Sequence, residues 1–107
     1  MNEPDMSMEI SLRINQLIER YNGNSVCMAG LLCDHYDPQK LAFRIVGEDL
    51  QAYELTYGEL RRESERIAAA LSDLGVEPGD RVATLMGKSR EYLTSLMGIW
   101  RLGAVHV

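Results

Sequence analysis

The stretch from residue 81 to residue 107 constrains the fold more than any other part of this sequence. A run almost free of charge, Arg81-Val82-Ala83-Thr84-Leu85-Met86, precedes a helix-length segment, and Ala104-Val105-His106-Val107 follows it. Two apolar strands joined by one helix spell a parallel strand, crossover helix, strand unit. Ser89 is placed to cap that helix, which should run from Arg90 to Leu102 and close at Gly103. Its apolar residues Tyr92, Leu93, Leu96, Met97, Ile99, Trp100 and Leu102 spread over more than half the circumference, so it should be covered on several sides. The uncharged first strand should be covered on both faces. The last strand has no stop signal, and a parallel strand needs neighbours on both edges. The pattern therefore predicts the first part of a larger α/β fold.

The segments before this unit are amphipathic. Ser7 can cap a helix from Met8 to Tyr21, where Ile10, Ile14, Leu17, Ile18 and Tyr21 share one face. Asn22-Gly23 ends it. A second helical stretch starts at Asn24 or Ser25, runs through Val26 to Cys33 and stops at Asp37-Pro38, because proline disfavours a helical residue before it. Together these helices read as an N-terminal cap behind a polar tip at residues 1–7. Leu41 to Val46 and Ala52 to Thr56 suit strands, and Gly47 to Gln51 between them favours a hairpin. Thr56 and Glu59 then match a capping box, in which each side chain bonds an amide of the first helical turn. The helix from Tyr57 to Leu74 should bury Leu60, Ile67, Leu71 and Leu74, flanked by Ala68 and Ala70. Its solvent face is Arg61, Arg62, Glu65, Arg66 and Asp73.

With 107 residues the chain has room for one domain, and 46% hydrophobic with 25% charged residues is the composition of a foldable chain. A net charge of -5 leaves no basic excess for a phosphate backbone or an anionic lipid surface, so no nucleic acid and no membrane is expected as a partner. No apolar run approaches the ~20 residues that span a bilayer, and the acidic start Met1-Asn2-Glu3-Pro4-Asp5 is unlike a secretory signal. The expected compartment is the cytoplasm. Cys27 and Cys33 are too few for a disulfide framework and read as reduced core thiols.

Several residues carry reactive atoms, and each has a structural reading that wins. Gly87-Lys88-Ser89 between a strand and a helix has the ending of a phosphate-binding loop, but the glycine needed five residues earlier is replaced by Val82. Cys33, Asp34, His35 and Asp37 lack a second ligand cluster at zinc spacing. His106 has neither a nucleophile nor an orienting acid beside it in sequence and reads as a hydrogen-bonded core or edge histidine. Glu48-Asp49 and Glu63 with Glu65 belong to a turn and a solvated helix face, and Tyr92 and Trp100 to the core. No catalytic, cofactor-binding or metal residue is assigned.

Three strings in fixed order do carry a resemblance. They are Glu54-Leu55-Thr56-Tyr57-Gly58-Glu59-Leu60, Leu74-Gly75-Val76-Glu77-Pro78-Gly79-Asp80-Arg81-Val82, and Leu96 to Val107 with its Arg101-Leu102-Gly103-Ala104-Val105-His106. The chain resembles the start of an adenylate-forming, AMP-forming acyl-CoA synthetase, closest to the acetyl- and medium-chain branch. The resemblance covers residues 41–107 well and 8–40 loosely. It implies an incomplete N-terminal subdomain of the α/β adenylate-forming fold: N-terminal helices, a β-hairpin and a βαβ unit, all part of one AMP-binding large domain.

Members of that family use ATP and magnesium to form an acyl-adenylate, release pyrophosphate, and pass the acyl group to coenzyme A. The family's Ser/Thr/Gly-rich phosphate loop, adenine and ribose motifs, acyl pocket and catalytic lysine have no counterpart in these residues, and Lys88 is not the phosphate-loop lysine. The expectation is a truncated synthetase that is inactive alone. The alternative is a structural or interaction module that self-associates, or pairs with a separately encoded remainder, through its open sheet edge.

Overall fold

A computed structural model describes residues 6–23 and 26–107. Helix α1 spans Met6–Tyr21, and a short π-helical turn follows at Gly30–Asp34. Strands β1 (Leu41–Val46) and β2 (Ala52–Thr56) form an antiparallel hairpin with a bulge between Leu41 and Phe43. Helix α2 is Tyr57–Asp73, β3 is Arg81–Val82, α3 is Arg90–Arg101 and β4 is Val105–His106. Strands β3 and β4 pair in parallel around the α3 crossover, which is the βαβ unit expected from sequence. The fold is mixed α/β, and the hairpin falls on the expected residues.

The hairpin runs straight into α2, so one residue serves both. Thr56 ends β2, and its hydroxyl accepts from the Glu59 amide at 3.2 Å. Only this half of the expected capping box carries the cap, because the Glu59 carboxylate reaches instead toward Arg90. Helices α2 and α3 end in the same way. At the first, the Val76 amide reaches the Leu71 carbonyl and Gly75 takes φ 95°; at the second, the Ala104 amide reaches Ile99 and Gly103 takes φ 81°. These are Schellman ends, where a positive φ is cheap only for glycine and two orphan carbonyls are satisfied.

The core lies where α2, α3, the hairpin and the Gly30–Asp34 turn meet. Leu55, Leu60, Ala29, Cys33 and Met97 are buried there, with Ala42, Ile45, Tyr57, Leu93 and Trp100 packed around them. Each fully buried leucine contributes roughly 1.5–3 kcal/mol. On α2 the buried stripe is Leu60, Ser64 and Ala68, one residue every turn. Leu74 departs from the expected stripe: as the C-cap residue it points away and is exposed, and Ala70 is exposed as well.

Small residues set the α2–α3 distance. A Cβ on Gly98 would come within 2.7 Å of Ile67 Cγ2 and 3.0 Å of the Ser64 carbonyl oxygen. Gly98, Thr94, Met97 and Ile99 are buried, and Tyr92, Leu93, Leu96 and Trp100 half-buried, so α3 is covered on several sides as its composition demands.

Four expectations are corrected. Helix α1 starts at Met6, so Ser7 lies inside it, and the helix buries none of its residues: Ile10, Ile14, Leu17 and Ile18 are all exposed. It does not cap the body. The radius of gyration is 17.7 Å, against about 13 Å for a compact chain of this length. Strand β3 is only two residues long, and the uncharged run is not covered on both faces, since Ala83, Leu85 and Met86 after it are exposed. Cys33 is a buried free thiol, but Cys27 is an exposed one. Glu63 is not on a solvated face, because Arg90 reaches across from α3 to bind it. The expected start of the second helical stretch, Asn24 or Ser25, and most of the polar tip fall outside the described residues.

The Gly98 contact yields a prediction. Alanine has the better helix propensity by about 1 kcal/mol, yet overpacking costs about 1–3 kcal/mol and the Ser64 carbonyl cannot move aside. Gly98→Ala should lower the urea midpoint of the chain, whereas Gly87→Ala, where an added Cβ meets open space, should not. A Gly98→Ala midpoint at or above that of the parent would contradict the close approach.

Candidate functional site

The most elaborate polar cluster is centred on Arg101, at the C-terminal end of α3. Its guanidinium donates two hydrogen bonds, both 2.7 Å, to the two oxygens of Asp34, and its Nε donates to the Ser64 hydroxyl at 3.1 Å. Ser64 in turn donates to the Arg61 carbonyl at 2.9 Å. One side chain thus joins the Gly30–Asp34 turn, α2 and α3. The fork-to-fork geometry is the strong form of an ion pair, and the arginine also complements the negative end of the α3 dipole.

The electrostatics follow from this contact. The Arg101 hydrogen bonds hold the Asp34 carboxyl below its ordinary range, against the opposing effect of burial. Beside it, burial and the Asp34 charge push the Cys33 thiol up to about 11. Cys33 Sγ lies 3.5 Å from the Tyr57 carbonyl oxygen and is therefore a protonated, inert core group rather than a nucleophile. A second clamp sits at the other end of α3, where Arg90 Nε donates to the two Glu63 oxygens at 3.2 and 3.1 Å and Arg90 Nη2 reaches Glu59 at 3.4 Å.

Between β1 and the start of α3 runs an open groove of about 460 Å³, lined by Phe43, Ile45, Val46, Lys88, Ser89, Tyr92 and Leu93 among others. Lys88 and Ser89 of the Gly87-Lys88-Ser89 turn lie on its wall. The Ser89 hydroxyl accepts from the Tyr92 amide at 3.2 Å and donates to the Gly87 carbonyl at 3.3 Å, so it caps α3 and is not directed at a ligand. Val82 stands in β3 where a phosphate loop needs its first glycine, and Ser89 is engaged as a cap, so these residues do not fit a nucleotide triphosphate.

The other reactive atoms seen in the sequence are engaged locally. Asp37 accepts from the Gln39 amide at 3.0 Å, and His35 Nδ1 lies 3.1 Å from the Gly30 carbonyl oxygen. Among the described residues no three His, Cys, Asp or Glu side chains are grouped to hold a metal ion. His106 is half-buried on β4, its Nε2 2.7 Å from the Thr84 hydroxyl and its ring edge-on to Tyr92. The cluster that sequence reasoning missed is Arg101 with Asp34. The signal available was a single charged residue in the last turn, after an uncharged stretch from Tyr92 to Trp100, but its partner lies 67 residues away in sequence.

Comparison with protein families gives one decisive match. The model of the AMP-binding enzyme family matches residues 35–107, which takes in the hairpin, the βαβ unit and the Arg90 clamp, and begins one residue after Asp34. This chain belongs to the AMP-binding enzyme family.

Its relatives within that family agree. Acetyl-coenzyme A synthetase of Chlorobaculum tepidum is 42% identical over 60 residues, covering 56% of this chain and 9% of that protein. An acyl-CoA synthetase structure from Brucella canis superposes with a TM-score of 0.79 at 31% identity, covering 87% of this chain and 18% of the other. Apo MatB from Rhodopseudomonas palustris superposes with a TM-score of 0.63 at 32% identity, over 74% of this chain and 15% of its own. The chain therefore spans less than a fifth of each relative. The adenylate-forming architecture expected from the sequence motifs is the one observed. No helix among the described residues is long and apolar enough to cross a membrane.

The Arg101–Asp34 ion pair has a pH dependence that can be measured. A carboxyl held below its unfolded value, near 3.8, contributes stability that is complete above that value and is lost as pH falls through the lower folded value. Because both side chains are largely shielded, with 15% and 24% exposure, the pair should be worth about 1–3 kcal/mol. Asp34→Asn should cost that amount at pH 7, measured by urea unfolding. The difference between variant and parent should shrink as pH falls below 3.8. A pH-independent difference, or none, would contradict the assignment.

Proposed function

We propose that these residues serve as the N-terminal scaffold of the large domain of an AMP-forming acyl-CoA synthetase working in the cytoplasm. The whole enzyme's reaction would be ATP-dependent ligation of a carboxylic acid to coenzyme A through an acyl-adenylate. The observation that carries this reading is the family match over residues 35–107, in a segment whose polar side chains serve folding. Arg101 is tied to Asp34 and Ser64, Arg90 to Glu63, Ser89 to its helix cap and His106 to Thr84.

The segment's part in such an enzyme is positional. A rigid βαβ flank holds the loops in which transferring phosphate is stabilised, and that stabilisation depends on donors fixed before reaction begins. Among the described residues the polar side chains of the flank are engaged in caps and clamps, and we propose that the 107 residues are a truncated synthetase, inactive alone.

A second reading, as an interaction module, is favoured by one observation. Leu85, Met86, Val105 and Val107, on or beside the two short parallel strands, are exposed together. An apolar, unpaired strand edge accepts a further strand from a second copy or from a separately encoded remainder of the domain.

One preparation tests both. The purified chain, supplied with ATP, magnesium, coenzyme A and a panel of carboxylic acids from acetate upward, should release no acid-dependent pyrophosphate. Sustained release would overturn the scaffold reading. Light scattering on the same sample distinguishes the module: a dimer mass supports self-association, and a monomer mass at all concentrations argues against it.

A further inference from the structure

We draw no further inference here: the strongest candidate, the unpartnered apolar face of α1 formed by Ile10, Ile14, Leu17 and Ile18, carries nothing because the structure does not show what covers it.

Discussion

Helix α3 lies so close to α2 that a methyl group on residue 98 would overlap Ile67 and press on the Ser64 carbonyl. The remaining architecture depends on that distance. It brings the Ser64 hydroxyl within reach of Arg101, and Arg101 then fastens Asp34 and the turn that contributes Ala29 and Cys33 to the core. It also lets Arg90 span from α3 to Glu63 and Glu59 on α2. Interiors tolerate neither gaps nor overlap of a single methyl group. A glycine facing a serine and an isoleucine therefore fixes the helix pair more tightly than larger side chains would.

Two kinds of interaction share the work at this junction. Apolar burial of Leu55, Leu60, Met97 and Ile99 supplies the non-directional term, roughly proportional to area. The Arg101 fork supplies direction, since only one placement of the Gly30–Asp34 turn satisfies both carboxylate oxygens. Helix α1 buries none of its residues, and its Ile10, Ile14, Leu17 and Ile18 stay exposed.

Much of this was legible in the sequence, and the omissions have physical causes. The hairpin, the Thr56 and Ser89 caps and the glycines after α2 and α3 are local signals, read from residues a few positions apart. The family could be read the same way, from strings whose order and spacing survive in a linear comparison. Burial is a property of partners, and there the reading failed. The regular apolar spacing of α1 promised a covered face, yet Ile10, Ile14, Leu17 and Ile18 are exposed. The uncharged run at β3 promised two covering layers and has Leu85 open. The Arg101 node was invisible for a related reason, since its two charges are brought together only by the tertiary fold.

The central claim is that α2, α3 and the segment carrying Asp34 form one cooperative body while α1 stands outside it. Hydrogen exchange followed residue by residue on the 107-residue chain tests this directly, because protection reports the free energy of each local opening. The account predicts that amides of α2, α3 and the Gly30–Asp34 turn share one level of protection, and that α1 amides exchange far faster. Protection of α1 equal to that of α2, or free exchange in α3, would contradict it.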